Sequence, residues 1–83
     1  MEYVYILKSK TDSSKQYIGV TNDLERRLKQ HNNTSSSHYT YKYAPWGLET
    51  YVAFRNKRLA KEFEAYLKTH SGRAFLRRRL IAD

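Results

Sequence analysis

Arg27 and His31 stand four residues apart in the register of Leu24 and Leu28. At 100° per residue these four share an arc of about 100°, while Arg26 and Lys29 point away. A guanidinium on the border of an apolar stripe costs desolvation unless it meets an anion, either a buried carboxylate or a phosphate from outside. His31 adds a group that can move protons near neutral pH. A histidine in the last turn of a helix is also an ordinary partner for the helix dipole.

A second group comes from strand alternation. With Val4, Ile6, Ile18 and Val20 facing a core, Tyr3, Tyr5 and Tyr17 project from the opposite face with Gly19 beside them. Glycine inside a strand removes a packing side chain, so something else is expected to approach its backbone closely, a phosphate being one candidate. The plainer reading is a strand-end glycine among packing tyrosines.

Carboxylates are scarce. Glu62 and Glu64 flank the Leu59/Phe63/Tyr66 stripe from different sides, and each has a cation one turn away, Arg58 and Lys68. Periodicity does not choose between them, and both fit routine ion pairs on a helix surface. No DxD or HExxH spacing occurs and there is no cysteine, so a metal would rest on one carboxylate with waters and phosphate oxygens. Magnesium tolerates that arrangement and zinc does not.

The chain that must position these groups has 83 residues, 40% of them hydrophobic and 14% aromatic, enough for one globular domain over residues 1–83. Without cysteine, disulfide, zinc-finger and redox readings fall away. The apolar run from Tyr3 to Leu7 is far shorter than the ~18 residues of a membrane span, so no membrane partner and a cytoplasmic location are expected. The net charge of +8 makes a polyanion the first partner to consider. Residues 1–50 hold seven bases and five acids, whereas residues 51–83 hold nine bases and three acids, so the excess lies at the C-terminal end. Arg77, Arg78 and Arg79 sit there among Phe75, Leu76, Leu80 and Ile81 at helical spacing, which also suits the solvated side of an ordinary helix.

Strands are expected from Tyr3 to Leu7 and from Tyr17 to Val20, joined as a hairpin through Asp12-Ser13-Ser14. Asn22, with Glu25 three residues on, predicts a capped helix reaching about His31. Residues 32–47, rich in serine and tyrosine, read as a functional loop. Leu48 to Phe54 alternates as a third strand. Asn56 caps a helix to about His70, and Ser71-Gly72 interrupts it before a last short helix. The fold class is α+β, a three-stranded antiparallel sheet flanked by helices in the order β-β-α-β-α-α, with one sheet face covered to form the core.

Together these residues resemble a GIY-YIG nuclease domain, specifically its small stand-alone branch. Tyr3-Val4-Tyr5 stands at the first triplet, Tyr17-Ile18-Gly19 at the second, and Thr21 to Asn32 matches the arginine-bearing helix. Ala60, Glu64 and Lys68 at four-residue spacing, followed by Ser71-Gly72-Arg73-Ala74-Phe75, complete the pattern across nearly the whole chain.

The resemblance implies a Mg²⁺- or Mn²⁺-dependent endonuclease using one ion. It makes Tyr5 and Tyr17 the motif tyrosines, Arg27 the phosphate-gripping arginine, Glu64 the metal-binding carboxylate and His31 a further polar group of the site. A tyrosine would be the general base, with its pKa lowered by Arg27, a metal-bound water or His31; which tyrosine is left open. Some relatives carry lysine directly after the second triplet where this chain has Val20, so His31 or His38 would substitute for that charge. Gly19, Arg26, His38, Tyr39, Lys68, Arg73, Arg77 and Arg78 are the expected nucleic-acid contacts, and the loop aromatics His38, Tyr39, Tyr41 and Trp46 suit equally stacking on unpaired bases and packing over the core. The expected substrate is branched, damaged or single-stranded DNA in repair or recombination, cut by structure rather than sequence unless a homodimer or protein partner supplies specificity. A non-catalytic nucleic-acid adaptor and an RNA-directed nuclease are the alternatives.

Overall fold

The computed structural model describes residues 1–33 and 38–81. Three strands, β1 (Glu2–Ser9), β2 (Gln16–Thr21) and β3 (Trp46–Phe54), form an antiparallel sheet in the order β2-β1-β3. Both β2 and β3 are therefore edge strands. The helices are α1 (Leu24–His31), α2 (His38–Lys42), α3 (Lys57–Leu67) and α4 (His70–Arg79). The expected order β-β-α-β-α-α holds, with α2 as one additional turn inside the stretch expected to be a loop. Among the described residues no helix is long and apolar enough to cross a membrane.

The β1–β2 turn is tied by short-range bonds. Asp12 Oδ1 accepts from the Ser14 N–H and hydroxyl, and the Asp12 carbonyl accepts from the Lys15 N–H, the usual way aspartate mimics a turn. Register then pairs Tyr5 with Gly19 and Ile6 with Ile18. A two-residue period puts Val4, Ile6, Ile18 and Val20 on one face, as expected, where they pack with Ala60, Leu67, Leu76 and Ile81 from α3 and beyond.

The opposite face is also a core, which corrects the expectation of a single covered face. Tyr5, Leu7 and Trp46 are buried there beneath Leu24 and Leu28 of α1, with Tyr17, Tyr43 and Ala44 packed alongside. Trp46 is locked in place: its ring N–H donates to the Thr40 carbonyl at 2.7 Å, and its backbone N–H and C=O meet the Asn32 side chain at 2.6 and 3.2 Å. It is thus core, and not a stacking surface for bases. Tyr41 is exposed.

Two helix boundaries also differ. Asp23, rather than Asn22, caps α1, accepting from the Arg26 N–H at 3.1 Å, because the Thr21 hydroxyl holds the Asp23 N–H and brings that residue into position. The break between α3 and α4 falls at Lys68 and Thr69. The Thr69 side chain caps α4 through the Gly72 N–H, so Ser71 and Gly72 lie inside the first turn. Gly72 is there for space, since a Cβ would collide with the Tyr66 carbonyl. Asn56 caps α3 as expected.

Candidate active site

The Tyr5 side chain leaves β1 on the α1 face and lies over its cross-strand partner Gly19. A Cβ on Gly19 would fall 2.5 Å from the Tyr5 hydroxyl oxygen and 2.7 Å from Cζ. The close approach expected at Gly19 is therefore made from inside the protein, by a phenol. Gly19 itself is buried, which corrects its reading as a phosphate contact.

Helix α1 delivers two partners to that hydroxyl. Arg27 Nε donates to it at 3.1 Å, and His31 Nε2 lies 2.8 Å from it. The four-residue spacing expected to put Arg27 and His31 on one arc does so. Arg27 donates only, so the phenol oxygen accepts from Nε, and in the His31 tautomer that carries its proton on Nδ1 the phenol proton is directed at Nε2. That requires a neutral imidazole. Burial, assisted by the positive charge of Arg27, lowers the His31 pKa to about 4, so the ring is uncharged at neutral pH.

Burial also raises the Tyr5 pKa, outweighing the hydrogen bond and charge of Arg27, which act to lower it. Tyr5 is thereby held as a phenol, and Arg27 alone does not bring about at Tyr5 the lowering expected of a general-base tyrosine. In return, its hydrogen bond raises the Arg27 pKa. Arg27 also donates from Nη1 to Gln30 Oε1 at 3.0 Å. Among the described residues no carboxylate pairs with Arg27, so a buried carboxylate is not its anion.

Tyr17 completes the aromatic wall, its ring 4.5 Å from His31 and 6.2 Å from Tyr5, centroid to centroid. Glu64 approaches from α3. Its charge is among the causes that raise the Tyr5 pKa, and its side chain is 25% exposed and 3.3 Å from Lys68 Nζ. Glu62 points elsewhere, in an open pair with Arg58 at 2.9 Å. Structure thereby separates two glutamates that helical periodicity left equivalent.

Tyr5, Tyr17, Arg27 and His31 are thus gathered from β1, β2 and α1, and Glu64 of α3 stands near enough for its charge to act on Tyr5. Among the described residues no group of three or more His, Cys, Asp or Glu side chains could enclose a metal. A lone, partly exposed carboxylate fits an ion that keeps most of its waters, as magnesium does.

The expected nucleic-acid contacts divide. Lys68, Arg73 and Arg77 line a groove that reaches Tyr17. Arg78 is exposed outside that lining. Arg26 stays in solvent at the start of α1, 4.0 Å from Asp23 and 3.4 Å from Asn22. The side chains of His38 and Tyr39 lie outside the described residues. Sequence reasoning missed Gln30, which steadies Arg27 from one turn away, and Lys15, which reaches the groove from the hairpin turn. The i, i+3 spacing from Arg27 was the available signal for Gln30; none marked Lys15.

Comparison with known families agrees with this architecture. Residues 1–78 match the GIY-YIG catalytic domain, and the chain belongs to that family of nuclease domains. It is 47% identical over 68 residues to the UPF0213 protein CPE1444 of Clostridium perfringens, covering 82% of this chain and 71% of that protein. A match to the structure-specific endonuclease subunit SLX1 of Malassezia globosa is 37% identical and covers 83% of this chain but 16% of that much longer protein. The solution NMR structure of the UPF0213 protein BH0048 from Bacillus halodurans superposes with a TM-score of 0.53 at 33% identity, over 92% of this chain and 82% of that one. The chain spans about two thirds of several other UPF0213 relatives, including 66% of the Bacillus licheniformis protein and 65% of YazA from Bacillus subtilis.

Proposed function

We propose that this domain is a Mg²⁺-dependent endonuclease that hydrolyses phosphodiester bonds in DNA, with Tyr5 as general base. The observation that carries the reading is the Tyr5 hydroxyl held between Arg27 Nε and His31 Nε2. A phenol with an ordinary or raised pKa is a poor base by itself at neutral pH. Paired with a neutral imidazole in the Nδ1–H tautomer it becomes a relay: the phenol oxygen takes a proton from the attacking water while the phenol proton passes to His31 Nε2, and the imidazolium, disfavoured by burial and by Arg27, returns that proton to solvent as the product leaves. No phenolate has to accumulate.

Arg27 has both roles of a charge clamp. Through Nε it fixes the phenol, and with the rest of its guanidinium it meets the negative charge that grows on the phosphorus oxygens in the transition state. Gln30 is the partner it exchanges for phosphate. Glu64 would hold the ion, which when bound would supply Lewis-acid stabilisation of the developing negative charge. Tyr17 shapes the wall against which the scissile group sits.

Structure selectivity, repair or recombination as the setting, and an additional protein or second copy that supplies specificity complete the reading. The likeness to a protein named as a structure-specific endonuclease subunit supports the first and the last of these. Supercoiled plasmid incubated with Mg²⁺ or EDTA tests the proposal. Metal-dependent nicking by the wild type that is lost in Glu64→Ala is the expected result; binding of nucleic acid without nicking in any divalent metal would leave only a basic adaptor. A panel of labelled flap, duplex, single-stranded DNA and RNA substrates decides the substrate geometry and the sugar.

A further inference from the structure

The nuclease reading accounts for the cluster around Tyr5 and leaves a second feature unassigned. Along the open edge of β2, the hairpin turn and α4 enclose a groove of about 530 Å³. Its walls carry Lys15 from the turn, Lys68 from the end of α3, and Arg73 and Arg77 from α4, with Tyr17 at the boundary with the catalytic cluster. Among the described residues no acidic side chain lines it, although the carboxylate of Glu64 pairs with Lys68 of the lining.

Arg73 and Arg77 are four residues apart and so share one face of α4, with buried Leu76 fastening that helix to the core. Arg78, next in sequence, is turned about 100° away and is not part of the lining. The cations are placed by structure: Arg73 Nε is 3.4 Å from the Lys68 carbonyl, Lys68 Nζ is 3.3 Å from Glu64, and Lys15 Nζ lies 5.4 Å over the Tyr43 ring. By contrast, the shallow depression beside Arg26 and Lys29 is shared with Asp23 and Glu25, whose charges cancel it as an anion site.

We infer that this groove holds the sugar–phosphate backbone of one nucleic-acid strand immediately to one side of the bond being cut, with Lys15, Arg73 and Arg77 as its phosphate contacts. The inference rests on the nuclease reading for the position of the scissile phosphate. It depends on charge and continuity with Tyr17 for the occupant. A backbone supplies a negative charge at each phosphate and no obligatory base contact, which matches the three cations not paired with a carboxylate among the described residues, Lys15, Arg73 and Arg77, and a polar strand edge. The strand enters between hairpin and α4 and presents its next phosphate at Arg27. It follows that the C-terminal basic run is not a uniform electrostatic field: Arg77 reads phosphate and Arg78 does not.

The test is fluorescence anisotropy with the full chain in EDTA, so that no cleavage occurs, using a labelled single-stranded DNA oligonucleotide and the RNA of the same sequence across a salt series. Lys15→Ala and Arg77→Ala are each expected to weaken binding at least ~5-fold at low salt and to lower the salt slope by about 0.7. Arg78→Ala, which removes the same charge from the adjacent position, is expected to leave the slope unchanged. Alanine favours helix, and unchanged circular dichroism checks that α4 persists. The oligonucleotide showing the larger groove-dependent loss identifies the sugar.

Equal losses in Arg77→Ala and Arg78→Ala would overturn the groove in favour of a general field. So would unaltered binding in Lys15→Ala and Arg77→Ala, even if the wild type nicks plasmid, and the nuclease reading would then stand alone. Groove-dependent binding with no metal-dependent nicking supports the groove and removes the nuclease reading.

Discussion

The phenol of Tyr5 occupies the space that any side chain on Gly19 would need, with the hydroxyl oxygen 2.5 Å from the position of a Cβ. The glycine of the second triplet is thereby explained by packing against the tyrosine of the first. Gly19→Ala must push the ring aside, and because the hydroxyl is tied to both Arg27 and His31, the displacement breaks both bonds. Nicking of plasmid by Gly19→Ala is expected to fall at least ~10²-fold, the scale on which misplacing a reacting group by about 1 Å acts. Wild-type rates would show that the phenol position is not required.

Tyr5→Phe separates the hydroxyl from the ring. It keeps the packing and removes the shared partner of Arg27 Nε and His31 Nε2. Leaving buried polar atoms unpaired costs about 1–3 kcal/mol, so denaturant midpoints should fall together with activity. Tyr17→Phe provides the comparison: with Tyr5 as base, the larger loss of turnover belongs to Tyr5→Phe. The reverse order would transfer the base to Tyr17.

Arg27→Ala is expected to reduce turnover by at least ~10²-fold, the scale of losing one transition-state donor, with the fold retained. Arg27→Lys should not restore it, because a lysine cannot hold the phenol through Nε while also meeting a phosphate with a planar fork. Full rescue by lysine would reduce the role of Arg27 to simple charge.

His31 ties stability to pH. Its folded pKa, about 4, lies below the ordinary 6.5, so the unfolded chain binds more protons between those values. Stability is complete above the ordinary value and is lost as pH falls toward 4, by on the order of 1 kcal/mol per pH unit. Thermal unfolding followed from pH 7 to pH 4 should show this slope, and His31→Gln should flatten it. A slope that persists in the variant would place the responsible group elsewhere.

Glu64→Gln and Glu62→Gln form a matched pair on one helix. Only the first is expected to abolish Mg²⁺-dependent nicking and to weaken Mn²⁺ binding measured by titration calorimetry. Glu62, exposed and paired with Arg58, should contribute no more than the ~0.3–0.5 kcal/mol of a surface helix pair to stability.

Local chemistry was enough to announce most of the elements. Strand alternation placed Val4, Ile6, Ile18 and Val20 on one face and Tyr5 and Tyr17 on the other, and helical spacing put Arg27 beside His31, because these relations depend only on periods of two and 3.6 residues. The same rules could not rank Glu62 against Glu64, since both border the stripe of α3 and only its docking against the β2 edge selects one. Nor could they show that the tyrosine face is a second core. Trp46 is held by Asn32 and Thr40 and shares a buried cluster with Tyr5, and burial is what shifts the Tyr5 and His31 pKa values. The types and spacing of residues along the chain thus determined the parts of the proposed site. Tertiary structure decided their electrical state and which basic residues face the groove, because desolvation and charge separation are properties of distances in space, which no sequence period encodes.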